Sequence, residues 1–513
     1  MTRLRGATAD TLAVLAAALS VRLALLLEIS GTPLFLHPPV DAAWHHEWAS
    51  LVASGDVLAY APFFRAPLYP WLLGAWYAVA GSSVQAGALL SLAVSVAGCL
   101  ILHRTALLFT GRRAALAAAL CWSLWAPAVF QSSALLIEPL YITLLISSLF
   151  LLRRGGPSWA ALLMGLAAIA RPGALLLIPT LFIPAGRRRY LRILPALAPA
   201  ALVWGVNALA GDPGVFISSQ GGINLYLGNA AEADGMTAFA PRPPDGTVVR
   251  PDNVWSASVL GAPRGSSESA VSGYWTERAL VSALDDPSRW AALTARKALL
   301  LLSPVEIPGN YDLYYMRGSS LVLRVLLLPP PWCLPFSFIL LLLPQMLASG
   351  RADGGDRLLS AWIVLLLAGV LPFFVTGRFR LPSIPFILLL YARRLPRRSF
   401  GLIPLSAGLA IAAGGSIASS GLAGRSGVNM PFQDALAHVE EGREAEAEAL
   451  FLMSLDRSSL RPDLNMNRVE AMHDLGLLAA RRGDLEEAGE WWRAALELAP
   501  GFAPSREALE ALP

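Results

Sequence analysis

Apolar runs of about twenty residues, the length that crosses a bilayer core, recur from the N-terminus to about residue 418. A chain patterned in this way folds with lipid as much of its solvent. Composition agrees: 55% of the residues are hydrophobic and 15% charged, with a mean hydropathy of +0.54, against roughly 25% charged in soluble domains. An ordinary cytosolic enzyme is excluded. All the basic residues except Lys297 are arginines, which with the Ala, Gly and Pro load reflects a GC-rich genome rather than nucleic-acid binding. Cys99, Cys121 and Cys333 fall in apolar segments without CxxC spacing, so neither a disulfide framework nor a thiolate metal site is indicated.

Charge divides the chain in two. Residues 429–513 hold 17 acidic and 8 basic side chains, a net of −9, so the remainder carries +13. Arginines near helix ends mark the cytoplasmic side, and Arg3 and Arg5 place the N-terminus there. Spans are expected near 7–29, 86–109, the two segments leading to Arg153 and Arg154, 158–170, 173–185, 191–210, 331–347, 357–376, 381–392 and 400–418. Inner ends fall at Arg104, Arg112, Arg113, Arg153, Arg154, Arg187 to Arg189, Arg351 to Arg357 and Arg393 to Arg398. The short segment Ala66 to Ala80, with Pro67 and Pro70, reads as an interfacial helix. The expectation is an all-α polytopic membrane protein of about eleven transmembrane helices. An extracytoplasmic α+β subdomain is expected over 211–289, and an outer catalytic loop over 30–84.

Ionisable residues concentrate on the outer side. Between Asp56 and Asp212 the only carboxylate is Glu138, at the outer start of a span, where an acid is costly unless it serves a site. It also suits the helix start, with Pro139 in the first turn. Arg65, Arg171, Arg378 and Arg380 lie on the side that the charge bias should leave free of arginine. One such residue snorkels to headgroups; four beside carboxylates make an anion site. Asp41 opens an expected helix on which positions 41, 45 and 48 share a face, and it also reads as an N-cap. His45 and Glu47 are two apart, so a metalloprotease-type pair is absent.

Asp41-(x)3-His45-(x)3-Ala49, Gly55-Asp56 and Arg65-Ala66-Pro67-Leu68-Tyr69-Pro70 are followed by Glu138-Pro139-Leu140, Ala170-Arg171-Pro172, Gly221 to Asn229, Glu306-Ile307-Pro308 and Arg378-Phe379-Arg380-Leu381-Pro382. This order resembles the glycosyltransferase C superfamily, in particular bacterial relatives of the dolichyl-phosphate-mannose protein mannosyltransferases (glycosyltransferase family 39) and of the lipid A aminoarabinose transferase, over roughly residues 1 to 400. The resemblance implies transfer of a sugar from a polyprenyl-phosphate donor to an outer acceptor with inversion. It puts Asp41 in place of the general base, with Glu138 as the second catalytic carboxylate. Arg65, where the aminoarabinose transferase has lysine, would join Arg171, Arg378 and Arg380 on the carrier phosphate, and His45 stands where relatives often have tyrosine. The acceptor is a protein, lipid or polymer. No cofactor is called for, and a divalent metal is left open. The location implied is the bacterial inner membrane, with the site and the tail extracytoplasmic.

Substrate contacts are expected from His45, Tyr69, Asn224, Tyr226, Asn229 and Glu306. Ile223, Leu225 and Leu227 alternate with polar neighbours as in a half-buried strand. In the tail, Leu475-Gly476, Ala479, Gly483, Ala488, Trp492, Ala495 and Pro500 fit a tetratricopeptide pattern. Ala447, Phe451 and Ser454 repeat part of it 41 residues earlier. Two copies are fewer than usually stand alone, so the tail is expected to dock or to take a protein partner. A lipid-linked oligosaccharide ligase would need histidine in its large outer loop, and 211–289 has none. A transporter would show internal repeats, and none is seen.

Overall fold

The computed structural model describes residues 2–182, 192–236, 266–329, most of 332–340, 353–394, 413, 422–459 and 465–513, and no strand occurs among them. The inner arginines Arg187 to Arg189 and, apart from residue 413, the last expected span, 400–418, lie outside the described residues.

The chain begins with a long apolar helix, α1 (Thr2–Ile29), a single turn, α2 (Pro33–Leu36), and the amphipathic α3 (Asp41–Ala53). Then come α4 (Leu68–Ala80) and α5 (Val84–Ala106), the latter capped by the Ser83 hydroxyl accepting from the Ala86 amide. The next pair, α6 (Arg112–Ser123) and α7 (Ala126–Gln131), is broken where Pro127 enters; α8 (Glu138–Arg154) and α9 (Pro157–Ala170) follow. Pro172–Phe182 is a 3-10 helix with Pro179 inside it, and α10 (Ile193–Leu209) completes the first half. Among the described residues two helices, Thr8–Ile29 and Val84–Ala106, are long and apolar enough to cross a membrane, and Pro157–Ala170, Pro172–Phe182 and Ile193–Leu209 are shorter apolar helices.

The bundle's outer surface is itself apolar: Leu27, Val79, Leu194, Leu202 and Leu209 are all exposed. Such a surface is unfavourable in water and matches hydrocarbon. Polar side chains sort to the two ends. At one end Asp10 pairs with Arg112, Arg393 pairs with Asp353 and Asp356 and donates to the Phe109 carbonyl, and Arg153 lies over the Phe109 ring. These arginines are among those that the charge bias assigns to the cytoplasmic side. At the other end of α1, Glu28 accepts from the Ser320 hydroxyl and the Val322 amide.

The expected strand is a helix instead: α11 (Gly221–Asn229). Ile223 and Leu227, four apart, are buried together beside Trp275. A Cβ at Gly222 would overlap the Ser272 backbone, and one at Gly228 the Phe373 backbone. Close helix packing, rather than pleating, accounts for the glycines. The segment packs on α12 (Glu268–Asp285), which is followed by α13 (Pro287–Leu301), so the described part of the outer subdomain is helical rather than α+β. The remainder runs through α14 (Leu313–Met316), α15 (Leu321–Leu326), α16 (Gly354–Ala368), α17 (Gly377–Arg380) and α18 (Ile384–Arg394).

The tail consists of α19 (Leu422–Glu440), α20 (Glu444–Ser459), α21 (Asn465–Arg481), α22 (Leu485–Leu498) and α23 (Ala503–Glu510). Gly442 and Gly483 take positive φ at the two hairpin turns. Ala447, Phe451, Ala488, Trp492 and Ala495 are buried between the helices. A Cβ at Gly476 would overlap Trp492, which explains the small residue there. The tail docks as expected from its short length: His37 meets Glu441 at 2.7 Å, Tyr315 donates to Asp434 at 2.5 Å, and Met430 enters the main core.

Candidate functional site

At the Glu28 end of the bundle, two loops, the short α17 and two helix starts bring carboxylates and guanidiniums together. Asp41 is the first residue of α3, and Val40 precedes it with φ 49. The side chain makes no cap bond; it sits between two arginines. Arg65 Nη1 lies 2.6 Å from Asp41 Oδ1, and Arg378 Nη2 donates to Oδ2 at 2.8 Å. Burial opposes ionisation of Asp41, but Arg65 and Arg378 outweigh it, with smaller help from Asn310, and hold the carboxyl well below the usual range. Arg378 is pushed up because Asp41 and Glu138 outweigh its own burial.

Glu138, 0% exposed, opens α8 and accepts from Arg171 Nη2 at 2.6 Å. Phe379 joins the two ion pairs, with the Arg378 guanidinium 5.0 Å and the Arg171 guanidinium 5.1 Å from its ring centroid. Three guanidiniums against two carboxylates leave one positive charge. The sequence set this ring between Arg378 and Arg380; in the structure it lies between Arg378 and Arg171 instead.

His45 ties α3 to the segment entering α8. Its Nδ1–H donates to the Leu135 carbonyl at 2.8 Å, and its ring meets Tyr69 edge-on at 5.1 Å. Burial lowers its pKa to about 4, despite the opposing pull of Asp41, so the imidazole is neutral. Tyr69 is buried, its hydroxyl 3.1 Å from that of Ser91. Both residues support the floor of the site.

Other expected site residues lie elsewhere. Arg380 is two residues from Arg378 on a helical turn, so the two do not share a face. It points the other way, donating to the carbonyls of Ser303 and Val305, with its guanidinium 3.8 Å from the Phe336 centroid and 3.3 Å from Glu306. Glu306 is thereby a partner of Arg380, and a Cβ at Gly377 would overlap it. Asn229 is spent on packing: it donates to the Leu225 and Pro372 carbonyls and accepts from Lys297 and Trp290. Burial lowers Lys297 to about 8. Tyr226 packs on Trp275 at 4.8 Å beside Arg278, in an aromatic group whose edge includes Phe64 and Phe379. Asn224 is half-buried on the same helix. Among the described residues, no group of three His, Cys, Asp or Glu could hold a metal ion.

No known protein family and no curated protein matches the chain. Among solved structures, ArnT from Cupriavidus metallidurans, in a crystal structure bound to undecaprenyl phosphate, is similar at a TM-score of 0.40. Its identity is 14%, over 97% of this chain and 77% of that one. The archaeal oligosaccharyltransferase AglB from Archaeoglobus fulgidus, in complex with an inhibitory peptide and a dolichol-phosphate, is similar at a TM-score of 0.35. Its identity is 13%, over 86% of this chain and 59% of that one. Overall likeness at this level leaves the reading of the site to its own residues.

Proposed function

We propose that the chain is a membrane glycosyltransferase that moves a sugar from a polyprenyl-phosphate donor to an acceptor hydroxyl, with inversion. The observation that carries this reading is the Asp41 carboxylate held between Arg65 and Arg378, with Glu138 and Arg171 across the Phe379 ring. A net positive group of guanidiniums at the end of an apolar bundle suits a phosphate whose isoprenoid chain lies in lipid.

Asp41 doubly paired is a poor base. An arriving phosphate competes for the same two guanidiniums, and as it takes them the carboxylate regains basicity where the acceptor hydroxyl must lose its proton. Asp41 then removes that proton as the oxygen attacks the anomeric carbon, while Arg65, Arg171 and Arg378 stabilise the charge on the departing phosphate. Glu138 orients Arg171, and Arg380 and Glu306 hold the backbone around the site. The transferring face is extracytoplasmic in a bacterial inner membrane. Residues 1–420 form the transferase domain, and 429–513 a tetratricopeptide-like unit on the same face.

Membrane fractions supplied with a panel of polyprenyl-phosphate sugars test the reading. One donor is expected to be consumed by the wild type and not by Asp41→Asn. Equal consumption by the two chains would reject Asp41 as base, and no consumption from any donor would reject the reaction.

A further inference from the structure

Behind the ion pairs, deeper in the bundle, lies a small cavity lined by Ser95, Trp122, Gln131, Glu138, Pro139 and Ile142 among others. Two of its lining side chains carry buried acceptors, Glu138 Oε2 and Gln131 Oε1, that find no hydrogen-bond partner among the described residues. Arg22, 0% exposed within α1, stands behind cavity-lining Ser95 and is not itself one of the lining residues. Its Nε donates to Ser95 Oγ at 2.9 Å and its Nη1 to the Ser123 carbonyl at 2.8 Å, the residues on either side being cavity-lining Ser95 and Trp122. Its Nη2 has no partner among the described residues. Leaving such a buried group unpaired is costly, and more so for a charged one.

The orphaned atoms are of both kinds, two acceptors and one donor. A bound cation would meet the Arg22 guanidinium, and a bound anion would meet the Glu138 carboxylate. A neutral water, small enough for the cavity, both donates and accepts. We propose that this cavity is an internal water site joining Arg22 to Glu138 through Gln131, and that Arg22 is thereby a positioning residue for the Glu138–Arg171 pair. Water donates to Glu138 Oε2 and Gln131 Oε1 and accepts from the Ser95 hydroxyl, whose oxygen takes the Arg22 Nε–H, so a positive charge in the apolar bundle supports the carboxylate from behind while Arg171 engages it from the front. The water site stands on packing and hydrogen-bond chemistry; its consequence for phosphate binding rests on the glycosyltransferase reading.

X-ray hydroxyl-radical footprinting of the full chain in lipid nanodiscs, with no sugar donor present, tests the site, because ordered internal waters label the side chains they touch. Corrected for intrinsic reactivity, Trp122, Pro139 and Ile142 should label several-fold more than Leu145 and Leu149, which are as deeply buried on α8 but do not line the cavity. Arg22→Met and, separately, Gln131→Leu should reduce that labelling several-fold, and Arg22→Lys should retain it. Wild-type labelling no higher than at Leu145 and Leu149 overturns the water site; Gln131→Leu gives this reading even if Arg22→Met does not fold. The positioning role is read from undecaprenyl phosphate binding, expected to weaken several-fold in Arg22→Met and to recover in Arg22→Lys. Unchanged affinity where the labelling is lost overturns that role alone.

Discussion

Replacing Asp41 by asparagine should separate binding from turnover in opposite directions. In the unliganded protein, Asp41 occupies the inner faces of Arg65 and Arg378 at 2.6 and 2.8 Å, so a phosphate must displace it. At an effective dielectric of about 20, two unit charges about 4 Å apart interact by about 4 kcal/mol, and Asp41 makes two such contacts. Phosphate replaces these contacts, so most of that energy cancels. If about a third of one contact survives as a net difference, about 1.4 kcal/mol, asparagine tightens phosphate binding about tenfold. Turnover falls by about a hundredfold or more, because the base is gone. Purified wild type and Asp41→Asn in nanodiscs, titrated with undecaprenyl phosphate and assayed for transfer from the active donor, give both quantities. Weaker phosphate binding by the variant would mean that Asp41 organises the arginines rather than competing for them, and the exchange argument would fall. Near-normal turnover would remove Asp41 as base.

Other outcomes follow from neighbouring contacts. Arg378→Lys and Arg171→Lys should lose donor affinity, since a lysine cannot offer a bidentate fork; Arg380→Lys should instead lower thermal stability, because its donors hold the Ser303 and Val305 carbonyls, and a binding defect without a stability loss would contradict that division. Gly377→Ala should cost about 2 kcal/mol of stability by overpacking against Glu306, read as a lowered Tm. His45 has a folded pKa near 4 against an ordinary 6.5, so the unfolded state takes up its proton first as pH falls. Its contribution is present above about pH 6.5 and is lost toward pH 4, by at most about 3 kcal/mol; parallel pH–stability curves for wild type and His45→Gln would refute it. Single cysteines at Ser54, Ser267 and Glu486, with native cysteines replaced, should all react with an impermeant thiol reagent from one side of the membrane, and protection of Glu486→Cys alone would place the tail opposite Asp41.

The sequence disclosed most where an amino acid was chemically out of place. Arginines on the side that the charge bias should leave empty, and one carboxylate in a long acid-free stretch, led to Arg65, Arg171, Arg378 and Glu138, and the structure pairs all four. Helix periodicity put Asp41, His45 and Trp48 on one face of α3, and the structure buries His45 and Trp48 together with Ala42 and Ala49. Misreading came where period two and period four overlap: Ile223, Leu225 and Leu227 fit a strand, yet only Ile223 and Leu227 are buried, at helical spacing. The glycines of that segment were evidence of close packing, which cannot be seen without the partner helix. Asn229 and Glu306 read as substrate contacts in the sequence, but a lone polar residue does not reveal whether it faces a ligand or a neighbouring carbonyl. Arg22 offered the same out-of-place signal as Glu138, a charge inside the first apolar run, and could have been singled out on that ground.

The arginines divide by what satisfies them, and that division bears on which can serve a substrate. Arg22 and Arg380 donate largely to main-chain carbonyls of helix ends and loops, that of Ser123 for one, and those of Ser303 and Val305 for the other. Those carbonyls have no substitute donor if the guanidinium swings away, so recruiting either arginine to a phosphate would strand buried acceptors at about 1–3 kcal/mol each. Arg65, Arg171 and Arg378 are held instead by carboxylates, with aromatic rings on their faces: Trp44 for Arg65, Tyr141 and Phe379 for Arg171, Phe379 for Arg378. A phosphate oxygen can replace a carboxylate oxygen at similar distance and charge, and the ring contact survives the exchange. The second class can therefore release one anion and take another without disturbing the fold, as a site that must bind and discharge a lipid phosphate in every cycle requires.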